Sequence, residues 1–536
     1  SAEVDIVNQG DDWHGECRRT FSTRWKSMQE YELIKGFDIT PYFRKQLKSY
    51  YNNYSNDNLT VLTDTAVKEV VENQGFFIKE APRSVYKVKK LYDSLSPYSP
   101  DRAPYIDKKS VYLAKGVALA RVCFAKPAHE EFLDVMTLCP STIKTITSNP
   151  NGSAGLTAPS SSKSAAHTRA LERSIQILKG EKSPEPCMAF KRTQANDKTR
   201  LVWGYPYSMT VIEGLVAYPL NQKFKNRVSP MAFAMTTMAL GTRLRVSSYS
   251  SRFCYSLDMS KFDSSISSIL INHAFKILRT WFNPHQVEPT TGKAVHEIFD
   301  IIQSYFVTTP IMMPNAHVYK GKKHGVPSGS YFTQIIDSIV NVILAGTIDA
   351  KFNLGISRRK ILVLGDDLLF FSDRKISLDR ISKFAKQHLG INVHGSEKSS
   401  IFNKGDVIHF LGRDWHNGQP DIPIDDIVAK MVHPESFRKY SRIKEEKKRQ
   451  VHLLLMSYAS TYKSGWRIAE REINPQYRNL RRGEIPIDTF VYIHSRKDQL
   501  WEIDPSMLTG LQRYQRKYHG DGERKEPPRS GGQYLL

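Results

Sequence analysis

The sequence contains few cysteines, and none stands in a metal-binding arrangement. No CxxC pair and no CxxC/HxxxH spacing occurs among the five. This pattern argues against a structural zinc site. Few and scattered cysteines also fit a reducing compartment, where disulfides do not persist. The five are Cys17, Cys123, Cys139, Cys187 and Cys254.

Two further absences narrow the class of protein. No GxxxxGK[ST] stretch occurs, which argues against a P-loop nucleotide-binding protein. The longest apolar stretch, at about residues 335–348, contains Asp337 and Asn341. A membrane span needs roughly 20 apolar residues. We therefore expect a buried helix in this stretch and no membrane span.

Acidic residues are outnumbered by basic ones. The 536 residues include 77 Lys and Arg against 54 Asp and Glu, giving a formal net charge of +23. This length favours two to four domains or subdomains. A field this positive favours a polyanionic partner, most often nucleic acid. The alternative is a charge that only keeps the protein soluble.

Two adjacent carboxylates interrupt an apolar stretch at residues 361–371, ILVLGDDLLFF. The flanking runs are short and rich in branched and aromatic residues, which predicts two strands. Gly365 between them predicts a tight hairpin turn. Asp366 and Asp367 then lie at the turn, where a divalent cation would relieve their repulsion. An acidic turn without a ligand is the plainer alternative.

A second acidic position follows another predicted strand, in FCYSLDMSKFD at residues 253–263. Alternation predicts a strand that ends at Asp258, and a helix should follow with Ser264 or Ser265 as its cap. If this strand shares a sheet with the hairpin, the acids form one cation site. Oxygen ligands without Cys or His favour Mg²⁺ or Mn²⁺.

A basic stretch at 191–200 could balance the charge of a triphosphate. Together with the acidic site and the net charge, it indicates nucleotidyl transfer with two ions about 4 Å apart. Each feature has an ordinary alternative: the basic stretch could be a solvated loop, and Asp258 could be a helix N-terminal charge. Their joint occurrence favours the catalytic interpretation.

Six motifs appear in a known order: KTRLVWG, DMSKFD, GVPSGSYFT, LGDD, EKS and FLGRDW. The set resembles viral RNA-dependent RNA polymerases, most closely those of small double-stranded RNA viruses, the partitiviruses and their picobirnavirus neighbours. The resemblance covers roughly residues 150–430. It implies an α+β right-hand fold with fingers, a palm containing a small antiparallel sheet, and a helical thumb.

The resemblance also implies a division of the chain into domains. The implied segments are fingers with an N-terminal extension at 1–215, palm at 216–278, a fingers insertion at 279–327, palm at 328–426, and thumb with a C-terminal tail at 427–536.

Specific roles follow from the same resemblance. Asp258 and Asp366 would bind both metal ions, with Asp367 supporting them and the Met259 backbone as a further ligand. Lys398 would be the general acid for pyrophosphate. The RNA contacts would come from Ser153 and Gly155 at template entry and from Arg413 in the primer grip. The implied nucleotide-binding residues are Lys191, Lys198, Arg200, Asp263, Ser328, Gly329, Thr333, Asp337 and Asn341.

One position departs from the pattern of many positive-strand RNA polymerases. Asp337 stands where they have Asn, while Asp263 is expected to sense the ribose 2′-hydroxyl. An Asn can donate a hydrogen bond, whereas an ionised Asp cannot. Either one carboxyl is protonated, or a cation lies between them, or the ribose contact is rearranged.

These observations predict an enzyme that replicates and transcribes a viral RNA genome from NTPs with two Mg²⁺, for which Mn²⁺ can substitute. The expected partners are RNA template and product, NTPs and a viral capsid protein, with the polymerase itself monomeric. The expected location is the virion interior or the host cytoplasm. The alternatives are a reverse transcriptase-like polymerase and a non-enzymatic basic RNA-binding or packaging protein.

Overall fold

The computed structural model describes residues 63–78, 88–159, 161–194, 198–235, 237–314, 318–434 and 440–459. They divide into two compact units. The described residues of the first unit lie within 84–230 and 257–400, and those of the second within 60–83, 231–256 and 401–459. The implied fingers, palm and thumb boundaries stay a prediction, and much of the 427–536 segment lies outside the described residues.

The α-helices of the described residues follow one another in chain order. They are α1 (Thr65–Asn73), α2 (Val88–Leu95), α3 (Val111–Phe124), α4 (Pro140–Ile146), α5 (His167–Leu178), α6 (Tyr207–Lys225), α7 (Thr237–Ser250), α8 (Phe262–Ser265), α9 (Ser268–Arg279), α10 (Val295–Thr308), α11 (Thr333–Phe352), α12 (Leu378–Leu389), α13 (Ile424–Val432) and α14 (Lys444–Ala459).

The β-strands of the described residues are two to eight residues long. They are β1 (Cys187–Gln194), β2 (Lys198–Gly204), β3 (Phe253–Leu257), β4 (Ile311–Met312), β5 (Val318–Tyr319), β6 (Ile361–Leu364), β7 (Asp367–Ser372), β8 (Ser400–Asn403), β9 (Ile408–Phe410), β10 (Arg413–His416) and β11 (Gln419–Asp421).

Helix α11 forms the centre of the first unit. Its residues from Ile335 to Ile348 are all buried, and it packs along α3. A helix that is apolar on most faces is stable only when other elements surround it. The predicted buried helix is therefore confirmed. None of the helices in the described residues has the length and apolarity needed to cross a bilayer.

One sheet of the first unit has the strand order β2-β1-β4-β5. β1 and β2 form an antiparallel hairpin whose register pairs Met188 with Gly204 and Gln194 with Lys198. β1 runs parallel to β4, and β4 runs antiparallel to β5. The basic stretch at 191–200 thus belongs largely to a hairpin, which fixes the spacing of its side chains better than a solvated loop would.

The cap of the helix after Asp258 differs from the prediction. Ser264 and Ser265 lie within the separate short helix α8, and Ile266 after them is extended. Ser267 instead caps α9, because its Oγ accepts a hydrogen bond of 3.0 Å from the Ile269 N–H. The prediction was wrong because Ser264 and Ser265 are already part of the short helix α8.

The second unit contains a small antiparallel sheet of β9, β10 and β11. β9 and β10 are joined through Leu411 and Gly412, whose φ angles of 54° and 70° form a tight left-handed turn. In this unit α1 packs against α13, and the Asp64 N–H donates a 2.8 Å hydrogen bond to the Val432 carbonyl. The predicted FLGRDW motif is therefore a β-hairpin.

Candidate active site

The Gly-Asp-Asp stretch forms the predicted hairpin turn in the first unit. β6 and β7 are antiparallel, with Leu364 opposite Asp367, so Gly365 and Asp366 make a two-residue turn. Gly365 has a φ of 59°, a left-handed conformation that glycine adopts without strain. Asp367 is exposed although the rest of β7 is buried. The hairpin therefore presents both carboxylates outside its buried strands.

Asp258 is fixed at its backbone by a neighbouring loop. Its N–H donates a 3.0 Å hydrogen bond to Ser399 Oγ, and the His394 N–H donates a 2.8 Å bond to its carbonyl. Ser399 Oγ in turn donates to the His394 carbonyl at 2.6 Å. The exposed Lys398 lies in this loop, where its N–H donates to the Gly395 carbonyl at 3.2 Å. Its role as general acid stays a prediction.

His394 is a residue that the sequence analysis missed. Its Nε2 lies 3.8 Å from Asp258 Oδ2, and its Nδ1 lies 3.2 Å from Glu397 Oε1. The only signal in the sequence is the run HGSEKS, where a His and a Glu stand three residues apart. The imidazole can therefore support the Asp258 carboxylate through charge when it is protonated.

The charge of Asp258 acts on the carboxyl of Asp366. The protein surface around Asp366 removes part of its hydration and raises the pKa of its carboxyl; Arg200 counteracts this and the Asp258 charge adds to it. A divalent cation near both carboxylates would relieve that repulsion. No group of three or more His, Cys, Asp or Glu within the described residues forms a ready-made metal site. The oxygen donors suit Mg²⁺, but Asp367 would have to join the other two around the ions.

Asp263 and Asp337 are two acids whose side chains interact. Burial raises the pKa of Asp263 to about 6. Burial raises the pKa of Asp337 well above its ordinary value, and the nearby Asp263 charge and their mutual hydrogen bond raise it further. Asp337 is only 4% exposed. Of the three possibilities for this pair, a protonated Asp337 that donates to the Asp263 carboxylate agrees best with these shifts.

Asn341 is fully buried one helical turn beyond Asp337 on α11. Its Nδ2 donates a 2.7 Å hydrogen bond to the Gly365 carbonyl. The amide therefore holds the turn that carries Asp366. A direct contact between Asn341 and the nucleotide sugar stays a prediction.

The GVPSGSYFT loop is held tightly against β2. The Trp203 N–H donates a 3.2 Å bond to Ser328 Oγ. A Cβ on Gly329 would lie 1.6 Å from the Trp203 carbonyl oxygen, so only glycine fits there. Thr333 begins α11, and its Oγ1 donates to the Pro327 carbonyl at 2.6 Å. Thr333 therefore lies at the start of the helix that follows the loop, and nucleotide binding by Ser328, Gly329 and Thr333 stays a prediction.

The basic hairpin contributes one cation to the acidic site. Arg200 is exposed, and its charge partly offsets the rise in pKa that burial causes at Asp263 and Asp366. Lys191 lies on β1, where burial lowers the pKa of its ammonium group. Lys198 begins β2, but its side chain lies outside what the structure describes. Triphosphate binding by the two lysines stays a prediction.

The three residues predicted to contact RNA have local contacts of their own. Ser153 is exposed, and its Oγ accepts a 3.1 Å hydrogen bond from the Gly155 N–H. Gly155 itself is buried. Arg413 belongs to the second unit, where its Nη1 donates to the Leu411 carbonyl at 3.0 Å. No geometry of these residues identifies an RNA surface.

A family comparison matches the part of the chain that contains these acids. The viral RNA-dependent RNA polymerase family matches residues 187–461, just over half of the sequence. The match begins at β1. It includes Asp258, the Gly-Asp-Asp turn, the GVPSGSYFT loop before α11 and the β9–β10 hairpin of the second unit.

Individual relatives agree with the family match. The RNA-directed RNA polymerase of Cryptosporidium parvum virus 1 (strain KSU-1) is 29% identical over 260 residues, 45% of this chain and 45% of that protein. The RNA-directed RNA polymerase of Atkinsonella hypoxylon virus (isolate 2H) is 25% identical, over 45% of this chain and 43% of that protein. The matches thus cover less than half the length of these curated relatives.

A solved structure supports the fold. The crystal structure of the RNA-dependent RNA polymerase of a human picobirnavirus has a TM-score of 0.57 and 15% sequence identity, covering 93% of this chain and 96% of that chain. This likeness confirms the predicted right-hand α+β fold.

Proposed function

The chain belongs to the family of viral RNA-dependent RNA polymerases, and on this premise we propose that it copies an RNA template into RNA from nucleoside triphosphates. One observation carries the proposal most directly. Burial raises the pKa of Asp366, in the turn of a hairpin, and the charge of Asp258, which follows a strand, raises it further, as expected of two carboxylates near enough to share cations. The proposed replication and transcription of a viral genome follow from this activity.

We propose that Asp258, Asp366 and Asp367, with the Met259 carbonyl, hold two Mg²⁺, for which Mn²⁺ can substitute. Oxygen donors without thiol or imidazole ligands suit these hard cations. When bound, such ions make the attacking 3′-hydroxyl more acidic and stabilise charge on the leaving phosphate oxygen. The Asp258 backbone is held by Ser399 and His394, which keeps its carboxylate near one place during catalysis.

The sugar of the incoming nucleotide is proposed to meet the Asp263–Asp337 pair. Asp337 keeps its proton and donates to Asp263, which leaves the Asp263 carboxylate able to accept from the ribose 2′-hydroxyl. Arg200 would attract the triphosphate, together with Lys191 and Lys198. Lys398 is proposed to donate the proton that pyrophosphate needs when it leaves.

The test is incorporation of labelled NTPs on an RNA template, with and without Mg²⁺. Asp366→Asn removes a proposed metal ligand, and Asp93→Asn is the matched control because Asp93 is an exposed residue of α2. We expect the wild type and Asp93→Asn to extend RNA only with the metal, and Asp366→Asn to be inactive. Normal elongation by Asp366→Asn would refute the assignment.

The same assay separates the two alternative functions. A reverse transcriptase-like enzyme would prefer dNTPs, and a packaging protein would bind RNA without nucleotide turnover and without sensitivity to EDTA. We further propose that the polymerase acts as a monomer with a capsid protein as partner, inside the virion or in the host cytoplasm. Purified virions that contain the chain and synthesise RNA would support this location.

A further inference from the structure

Glu213 is a fully buried acid in the middle of α6 that the proposed reaction does not use directly. Both of its oxygens accept hydrogen bonds from one short segment. Ser330 Oγ donates to Oε2 at 2.7 Å, and the Tyr331 N–H donates to Oε1 at 2.9 Å. A buried carboxyl is costly unless its hydrogen bonds are satisfied. The pair of bonds therefore ties α6 firmly to residues 330–331.

These two residues lie near the end of the segment 325–332, here called the selection loop. Its other side is held by β2, because Ser328 accepts from the Trp203 N–H and Gly329 packs on the Trp203 carbonyl. The Tyr98 hydroxyl also donates to the Val326 carbonyl at 3.0 Å. The selection loop is thus anchored at β2 on one side and at Glu213 on the other.

The selection loop leads directly into α11, which extends from Thr333 to Phe352. At 1.5 Å per residue, Asp337 lies roughly 6 Å along the helix from Thr333, its first residue. Asp337 pairs with Asp263, and Asn341, one turn further, holds the Gly365 carbonyl. A displacement at the start of this helix therefore changes the position of both groups.

We infer that Glu213 is a positioning residue for sugar selection: it clamps the start of α11 so that Asp337 meets Asp263 where the ribose of the incoming nucleotide would bind. This inference rests on the proposed polymerase function. It assigns to α6 a role in discrimination between NTP and dNTP, although Glu213 does not contact the nucleotide.

Glu288 provides a matched control within the same unit. It is also fully buried, and its carboxyl accepts from the backbone N–H groups of Leu138, Thr290 and Thr291 at 2.9, 3.0 and 2.7 Å. These donors lie outside the selection loop. A purely structural effect of removing a buried carboxyl should therefore appear in both variants, whereas an effect on sugar selection should appear only at Glu213.

The experiment measures kcat and KM for one NTP and the matching dNTP on the same RNA primer and template. The variants are Glu213→Ala, Glu213→Asp, Glu213→Gln and Glu288→Ala, each with a thermal unfolding curve. Glu213→Asp withdraws the carboxyl by one methylene. Glu213→Gln keeps the length, and because the Ser330 hydroxyl can rotate to accept from the amide, the clamp is retained.

We expect Glu213→Ala and Glu213→Asp to lower the ratio of kcat/KM for NTP over dNTP by about tenfold to about 100-fold, as misplacement by about 1 Å can do. Glu213→Gln should restore the wild-type ratio, and Glu288→Ala should leave it unchanged. If Glu213→Ala does not fold, Glu213→Asp and Ser330→Ala carry the test, because each weakens only part of the clamp.

Two results would overturn the inference. One is an unchanged ratio in folded Glu213→Asp and Ser330→Ala, and the other is a Glu213→Gln ratio as low as that of Glu213→Asp. Both leave the proposed function intact as long as the wild-type chain extends RNA with NTPs. A wild-type chain that incorporates no nucleotide would instead refute the proposed function itself.

Discussion

Substitution of Glu213 by Gln should remove a large pH dependence of stability. Burial raises the pKa of the Glu213 carboxyl from 4.5 to about 8, while the hydrogen bonds from Ser330 and Tyr331 act in the opposite direction. At about 1.4 kcal/mol per pH unit, this change corresponds to about 5 kcal/mol. The magnitude is large because the side chain has no exposed surface.

The direction of this pH dependence follows from the proton that the Glu213 carboxyl keeps in the folded protein. Since the folded pKa lies above the unfolded one, the stabilisation is complete below pH 4.5 and is lost as the pH rises to about 8. The free energy of unfolding of the wild type should therefore fall, relative to Glu213→Gln, by about 1.4 kcal/mol per pH unit across this range. Above pH 8 the difference should stay constant.

The titratable groups near Glu213 do not cause this difference in stability between the wild type and Glu213→Gln. Burial raises the pKa of Tyr205 and of Cys187 above this range, and it raises that of Tyr331 to about 12. Burial lowers the pKa of Lys322, whose charge acts on Cys187, but Lys322 is present in both proteins.

The measurement is urea unfolding of both proteins at several pH values between 4.5 and 9, compared at each pH. Since all other groups titrate in both proteins, their contributions cancel to first order in the difference. Parallel curves for the wild type and Glu213→Gln across the whole range would refute the reasoning. They would mean that the carboxyl stays ionised at its buried position.

Three further predictions concern the proposed reaction. Asp366→Asn should lower the rate of nucleotide incorporation by several orders of magnitude, each of which corresponds to about 1.4 kcal/mol of barrier. Its RNA affinity should stay near the wild-type value, because that affinity comes from Lys and Arg. Equal losses of rate and of RNA binding would contradict this prediction. RNA binding should weaken with salt, with a log–log slope of about −3.5 if the protein neutralises on the order of five phosphates of a single strand; a flat response in a filter-binding assay would remove the argument from net charge. Asp263→Ala should narrow the preference for NTP over dNTP, whereas Asp337→Asn should preserve it because an amide also donates to Asp263. Unchanged discrimination in Asp263→Ala, with activity retained, would place sugar selection elsewhere.

The sequence alone determined the features that depend on neighbouring residues. Two branched apolar runs around Gly365 are sufficient for the hairpin, and alternation from Phe253 to Leu257 is sufficient for the strand that ends at Asp258. The order of the six motifs was sufficient to predict the family and the right-hand fold. The helix cap was the local feature it missed, because nothing near Ser264 indicated that a separate short helix would come first.

Only the tertiary structure decided which groups carry protons and which groups hold the site together. Glu213 and Ser330 are 117 residues apart, and no periodicity or turn signal relates two residues at that distance. Likewise, the amide of Asn341 holds Gly365, and His394 lies beside Asp258, only because folding brings separate segments together. The pKa of Asp337 depends on burial and on the nearby charge of Asp263, and neither exists until the chain has packed around α11.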